Sequence, residues 1–374
     1  MRLSISSSND RLPNDNWLIV WGGVIFLSVI AVLFSEWHIR HLGWSPSVVD
    51  SPDLWVEQRK RASKLGNKAL ILIGASRIQL DMDMQVLREK TGLEPIQLAI
   101  DGTSYIPVLE DLAQDPDITG TIFVSVNAYN MRKGESSDVS TQWVNYYKKT
   151  QQYELEPYRL INNKIVSFFN NISVLRLEGA KPYTVISQLA FQKKSMGNYL
   201  LTNVDRSRDA DYSKVKMPQF YAARLQRHFG KPLLKQISSF EQFFTTYKKA
   251  ISVLQPVENK QSFSKQLEHL LILSNKIEER GGKVVFIRFP TGKLVWEVDN
   301  KKYPKEIFWK EIEQRHQMSI NFIDYSSLNH FTPPDGSHLD FHDKNEFTNA
   351  LLDIFLAKNN LKSILPIDRV DARL

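Results

Sequence analysis

A chain of 374 residues exceeds one average domain of about 100–200 residues, and its 42% hydrophobic and 24% charged content exclude disorder as its main state and allow one large α/β domain with an insertion, or two domains. The absence of cysteine excludes disulfides, thiolate catalysis, thiolate zinc sites and iron–sulfur clusters. The formal charge of +7 is spread over short groups such as Arg59-Lys60-Arg61, Lys148-Lys149 and Lys301-Lys302, with no zinc-finger spacing or RNA-binding aromatic signature, so it reads as a basic surface beside anionic lipid and not as a nucleic-acid site.

Residues 1–16 read as a polar tail. Trp17 to Phe34, WLIVWGGVIFLSVIAVLF, contains no charge, and as a helix it spans about 27 Å, close to the roughly 30 Å bilayer core. Trp17 and Trp37 lie near its ends, where amphipathic rings prefer the interface. The run is longer than the apolar region of a cleaved signal peptide, typically about 7–15 residues, and no A-x-A-like site follows it. Residues 17–35 are therefore expected to be a retained, single membrane anchor. Arg2 and Arg11, diluted by Asp10 and Asp15 and opposed by Arg40, lean toward a cytoplasmic N-terminus, which would put residues 40–374 outside the cytoplasm.

Residues 36–67 read as a stem carrying Pro46 and Pro52. Ala69 to Ile73 is a continuous apolar run ending at Gly74, as expected of a parallel strand buried on both faces. Helical character follows over 83–90, then a second strand over Ile96–Ile100, a helix over 104–114 and a third strand over Thr121–Val126. This strand–helix rhythm predicts a doubly wound α/β fold whose first part covers 68–130. The rhythm is lost over 131–262, which reads as a largely helical insertion, a lid or a partner-binding region. A second part of the α/β domain spans 263–360. It starts with an amphipathic helix stopped at Gly281-Gly282, continues with strands over Lys283–Phe289 and Ile320–Ile323, and ends in a helix over 344–358. Residues 361–374 read as a tail.

Ligands of open α/β sheets sit beyond the carboxyl ends of the strands. The loops there carry Gly74-Ala75-Ser76-Arg77, Asp101-Gly102-Thr103-Ser104, Asn127 and Pro334-Asp335-Gly336-Ser337-His338. A hydroxyl, an acid–histidine pair and candidate oxyanion donors are the inventory of nucleophilic acyl chemistry. Each has a simpler alternative. Ser76 suits a helix cap, Gly102 and Asn127 suit turns, and His338 suits the surface. Arg77 either binds an anionic sugar or carboxylate, or makes an ordinary ion pair. His330, Asp340, His342 and Asp343 share the last loop, but the histidine spacing matches no zinc pattern, so no metal and no cofactor are expected. Tyr146, Tyr147, Tyr153, Tyr158, Phe168 and Phe169 are either sugar-stacking platforms or core residues.

Gly74-Ala75-Ser76 after the first strand and Asp335-Gly336-Ser337-His338 before the last helix resemble the nucleophile and D-x-x-H blocks of the SGNH/GDSL hydrolase superfamily. The resemblance covers residues 69–128 and 283–358. It implies a flavodoxin-like doubly wound sandwich with Ser76 as nucleophile, His338 as base and Asp335 orienting the imidazole. It also implies an oxyanion hole made of the Ser76 amide, the Gly102 amide and the Asn127 side chain. The chain departs from the family at Ala75, where many relatives carry aspartate, and at Ser125-Val126-Asn127-Ala128, where the usual block is Gly-x-Asn-Asp. An anchor joined to such a domain is similar to bacterial proteins that O-acetylate exopolysaccharides such as alginate, and to the anchored D-alanyl transfer proteins of teichoic acid modification. That likeness implies an O-acyltransferase on the periplasmic or exterior side of a bacterial cytoplasmic membrane. A polysaccharide hydroxyl would be the acceptor and a membrane-bound acyltransferase of the MBOAT type the partner. An acetyl esterase using the same triad and an inactive glycan-binding scaffold are the alternatives.

Overall fold

The computed structural model describes residues 17–127, 131, 136–152, 157–177, 197–217, 219–229, 239–256 and 260–364. The tails expected at 1–16 and, past residue 364, at the C-terminus lie outside the described residues. The chain divides into two compact units, Met1–Ser45 with Ser173–Gly197 and Pro46–Ile172 with Asn198–Leu374.

In the first unit, α1 (Trp17–His41) is a 25-residue helix long and apolar enough to cross a membrane, and none of its apolar window is buried inside the protein. Its length of about 37 Å exceeds the hydrocarbon core, so the helix continues past the expected 17–35 into a polar turn. There the Glu36 carboxylate accepts from Arg40 Nε at 2.7 Å, from the Ser173 hydroxyl at 2.8 Å and from the Val174 amide at 3.1 Å. Ile39 and Val174 are buried together beside these bonds.

The second unit is built on a five-stranded sheet. Its elements run α2 (Pro52–Leu65), β1 (Ala69–Ile73), α3 (Ser76–Leu80), α4 (Met84–Thr91), β2 (Glu94–Gln97), α5 (Ile106–Gln114), β3 (Thr121–Ser125), α6 (Val139–Gln152) and α7 (Pro157–Ile172). A hairpin of β4 (Leu200–Thr202) and β5 (Arg208–Ala210) follows, then α8 (Gln219–Phe229), α9 (Phe240–Ser252), α10 (Lys260–Glu278) and β6 (Lys283–Arg288). The unit closes with α11 (Lys293–Lys302), α12 (Lys305–Arg315), β7 (Ser319–Asn321), α13 (Ser326–Asn329) and α14 (Lys344–Ile364). The sheet order is β2-β1-β3-β6-β7, and every pair is parallel.

Side-chain alternation explains why these strands are apolar throughout. Ile71, Ile73, Ile122, Val124, Val284 and Phe286 face one helical layer, with Trp55 of α2, Leu109 of α5, Leu270 of α10 and Trp309 of α12. Leu70, Leu72, Phe123, Val285 and Ile287 face the other, with Val86 of α4 and Leu351 and Phe355 of α14. Both faces are buried, so neither set of positions tolerates an unpartnered polar residue.

Several expectations change. The stretch read as a stem contains α2, a helix of the core. Ser51 caps it by accepting from the Leu54 amide, and Pro52 begins it. Trp55 is fully buried with its indole N–H on the Leu98 carbonyl, and buried Arg59 pairs with Asp111 and Asp115 at 2.6 and 2.9 Å. β2 ends at Gln97, earlier than expected, although the Leu98 and Ile100 amides still bond to the Leu72 and Gly74 carbonyls. β7 stops at Asn321 and becomes a 3-10 turn over Phe322–Asp324. The helical region contains the β4–β5 hairpin, and Ser173–Gly197 within it groups with the first unit. The hairpin is pinned by Arg206, a fully buried residue at φ 68 whose guanidinium reaches Asp50 Oδ1 at 2.7 Å and the Gln97 and Ala99 carbonyls at 2.8 and 3.0 Å.

Gly74 joins β1 to α3 at φ +148, and a Cβ there would lie 2.6 Å from Ser125 Cβ on β3. Gly74→Ala is expected to cost about 2–4 kcal/mol, combining overpacking with an unfavourable φ. Gly102→Ala has φ +69 but open space around its Cβ, so it should cost about 1–2 kcal/mol. Denaturant unfolding of the two variants checks the order, and equal losses would contradict it.

Candidate active site

Ser76 is the first residue of α3. The helix-cap position is Ala75, with extended backbone and no side-chain cap bond, so the Ser76 hydroxyl is not used as a cap. It lies 2.7 Å from His338 Nε2. His338 Nδ1 lies 2.9 Å from Asp335 Oδ2, while Asp335 Oδ1 accepts from the amides of Ser337 and His338, both at 2.8 Å. Because an ionised carboxylate only accepts, the Nδ1 side carries the imidazole proton and the Nε2 lone pair faces the serine O–H. The three residues thus form one continuous hydrogen-bonded chain.

Their surroundings hold that chain in place. Asp335 is fully buried and His338 is 6% exposed. Burial alone would raise the Asp335 pKa, but the hydrogen bond and charge of His338, with the Ser337 and His338 amides, outweigh it and hold the carboxyl well below its ordinary range. Arg224 of α8 adds its Nε 3.5 Å from Asp335 Oδ2. Behind the histidine loop, Tyr212 is buried, and desolvation together with the Asp335 charge pushes its phenol pKa upward. The Tyr212 amide bonds Asp340 Oδ2 at 2.9 Å, and the Phe341 amide bonds the Ala210 carbonyl at 3.0 Å, so the hairpin buttresses the loop from outside the sheet.

The other expected residues gather on the same edge of the sheet. Gly102 sits in an exposed turn two residues past Ile100, whose amide bonds the Gly74 carbonyl. Its positive φ of 69 meets the turn requirement, and among the described residues no hydrogen bond joins it to Ser76. Asn127 lies two residues past Ser125 of β3 and lines a small cavity with Val126 and Arg288. Arg77 donates from Nε to Ser337 Oγ at 3.2 Å and has Nη2 4.0 Å from Asp299, so it braces the histidine loop as an internal ion-pair residue.

His330 bonds the Ser326 carbonyl and His342 bonds Asp340, each on the surface. Tyr147 is buried under Arg59, and the Tyr146 hydroxyl bonds Asp53, whereas Phe168 and Phe169 are exposed on α7. The side chains of Tyr153 and Tyr158 lie outside the described residues.

Two contributors escaped the sequence reading. Arg224 lies in a stretch with no readable periodicity. Asp81 follows α3 and is fully buried, its Oδ1 accepting from the Leu339 amide at 2.9 Å and its Oδ2 unpartnered among the described residues. It ties the residue after His338 to the helix that carries Ser76. Its one legible signal is a carboxylate set between Leu80 and Met82 in an apolar run. Neither a protein-family model nor a curated protein matches the chain.

Desolvation raises the Asp81 pKa well above its ordinary value, offset only in part by the Leu339 amide and the Arg77 charge. The neutral form is therefore favoured in the folded state, and raising pH through the folded pKa ionises a carboxyl that the interior does not solvate. Stability from this group is present at low pH and falls as pH rises. Asp335 acts in the opposite sense: its contribution is present above the unfolded carboxylate pKa of about 3.9 and is lost as pH falls toward the depressed folded value. Asp81→Asn keeps the acceptor for Leu339 and loses the ionisation. The melting temperature of Asp81→Asn minus that of the parent should grow from mildly acidic to alkaline pH, and a constant difference would show that Asp81 does not titrate in the fold.

Proposed function

We propose that this chain is a membrane-anchored, SGNH-like serine O-acyltransferase, and that the five-stranded parallel sheet is the flavodoxin-like sandwich of that superfamily. The observation that carries the reading is the unbroken chain from the Ser76 hydroxyl through His338 to buried Asp335. Chance surface histidines do not meet a serine and a desolvated carboxylate on opposite ring nitrogens.

In the proposed reaction Ser76 Oγ attacks the acyl carbonyl carbon as its proton passes to His338 Nε2. The carbonyl oxygen becomes an oxyanion, to which the Ser76 and Gly102 amides and the Asn127 side chain are the candidate donors. Collapse breaks the bond to the leaving alkoxide, which takes the proton from His338 and leaves an acyl-serine. An acceptor hydroxyl then gives its proton to His338 and attacks the acyl carbon, the bond from that carbon to Ser76 Oγ breaks, and Oγ takes the proton back from His338. Asp335 stabilises the imidazolium in both halves without itself being protonated.

Candidate anchor α1, a helix long and apolar enough to cross a membrane, favours transfer to a polymer or glycan at a membrane surface over a free esterase. Water as acceptor gives the esterase alternative with the same residues. A periplasmic or exterior domain, a bacterial cytoplasmic membrane and an MBOAT-type acyl donor partner belong to this proposal, as does a polysaccharide acceptor.

The test is acyl release from an acetyl ester by the full chain in detergent, with and without an oligosaccharide acceptor. Ser76→Ala should lower kcat by about 10⁶-fold and Asp335→Asn by about 10⁴-fold. Acetyl appearing on the acceptor selects transferase, and release to water alone selects esterase. A Ser76→Ala protein as active as the parent would remove the enzyme reading.

A further inference from the structure

Helices of the second unit turn their apolar residues inward. Helix α6 buries Val144 and Tyr147, and α9 buries Phe243, Tyr247 and Ile251. Helix α7 differs: from Lys164 to Ile172 none of its residues is buried. Ile165, Phe168, Phe169 and Ile172 are each between 46% and 60% exposed. Their spacing of i, i+3, i+4 and i+7 puts them on one face of the helix, and the Phe168 and Phe169 rings meet edge to face at 5.7 Å. Ser167, Asn170 and Asn171 lie elsewhere on the circumference. A single exposed apolar side chain is ordinary, but four in one stripe mark a contact surface.

What meets that stripe follows from the residues next to it in the chain. Ile172 is followed directly by Ser173 and Val174, whose hydroxyl and amide bond the Glu36 carboxylate at 2.8 and 3.1 Å, and Val174 is buried with Ile39. Glu36 is the first charged residue after the apolar run of α1, and Trp37 beside it is 56% exposed. A first charge and an exposed indole mark the level at which a spanning helix leaves the hydrocarbon for the headgroups. Chain continuity therefore brings the end of α7 to that level. Ile165 precedes Ile172 by about 10 Å along the helix axis, so the whole stripe stays close to it. Isoleucine and phenylalanine on one face, with serine and asparagine on the other, suit a helix that lies in the membrane plane with its apolar face sunk among the headgroups. Lys164, on the flank of the stripe, has the reach to keep its ammonium in water while its stem follows the apolar side.

We propose that α7 is an interfacial helix whose Ile165, Phe168, Phe169 and Ile172 side chains insert into the lipid headgroup layer beside the emerging end of α1. A lipid surface accounts for the stripe better than a second copy of the chain does, because the Glu36 bonds already hold the end of α7 where α1 leaves the bilayer. Two membrane contacts in place of one restrict the directions in which the attached sheet can face. The inference rests on the proposed anchoring by α1, and it uses neither Ser76 nor any acyl step.

Because the chain has no cysteine, one introduced cysteine carries a nitroxide label at a single known position. Full-length Ile165→Cys, Ser167→Cys, Phe169→Cys and Leu27→Cys proteins are labelled and reconstituted into vesicles of phosphatidylcholine and phosphatidylglycerol. None of these four positions is buried, so the substitutions leave the core intact. Electron paramagnetic resonance then compares collisions with oxygen, which concentrates in lipid, and with a water-soluble nickel chelate. Ser167 is two residues from both Ile165 and Phe169 and roughly 160° around the helix from each. The oxygen-to-nickel ratio at Ile165 and Phe169 should be several-fold above that at Ser167, approaching the value at Leu27 in the middle of α1. Ratios at Ile165 and Phe169 no higher than at Ser167 overturn the inference. So do labels at those two positions shielded from both reagents, the result expected of a second copy or another protein seated on the stripe. Leu27 separates this outcome from failure of the anchor: lipid values at Leu27 with aqueous values at Phe169 remove α7 from the membrane and leave α1 in it, whereas aqueous values at Leu27 remove both.

Discussion

A carboxylate with no solvent around it must be answered by the protein, and Asp335 sets that demand at the centre of this molecule. Its two oxygens accept from two amides of its own turn and meet the imidazole, and an arginine from a distant helix adds its charge 3.5 Å away. Removing one partner from such a group costs several kcal/mol, while the intact set adds little net stability. The aspartate therefore acts less as a support than as a specification. It fixes the rotamer of His338, the shape of the Pro334–His338 turn and the approach of α8. Asp81 lies behind it with the opposite solution, a carboxyl held toward neutrality, and links the turn to α3.

The parallel sheet brings the remaining parts to one edge by backbone register alone. Gly74, Ile100, Val126 and Arg288 follow or end adjacent strands, and ladder bonds that run past the strand ends carry the alignment into the loops. Gly74 permits the closest of these approaches, because any side chain there would strike Ser125. The site therefore depends on residues that do no chemistry but decide where loops begin.

Much of this was readable in the sequence, for a physical reason. A strand buried on both faces leaves an unbroken apolar run, so β1, β3 and β6 are visible at Ala69, Thr121 and Lys283, and the loops after β1 and β3 are visible with them. The serine stands at such a position, after β1, whereas the Asp335–His338 pair lies in the loop between α13 and α14. Helix α2 was hidden because its Arg59-Lys60-Arg61 looks solvated, although Arg59 is an interior residue neutralised by Asp111 and Asp115. The hairpin strands have three residues each, too few to show a period. Helices α11 and α12 are rich in lysine and glutamate and bury only a narrow stripe. Asp81 and Arg224 were out of reach because burial of a charge is a property of what surrounds it, and those surroundings come from other parts of the chain.

The hydrogen bond between Ser76 and His338 joins residues 262 positions apart. Loop closure over such a distance is slow and is rewarded only after the intervening elements have docked. During synthesis Ser76 emerges early, just after a strand whose neighbours β2 and β3 do not yet exist, and His338 follows 262 positions later. A growing or truncated chain therefore presents Ser76 without its histidine partner. Order of assembly thus confines the Ser76–His338 pairing to the finished protein, and any lesion that detaches the last loop breaks that pairing while leaving most of the sheet intact.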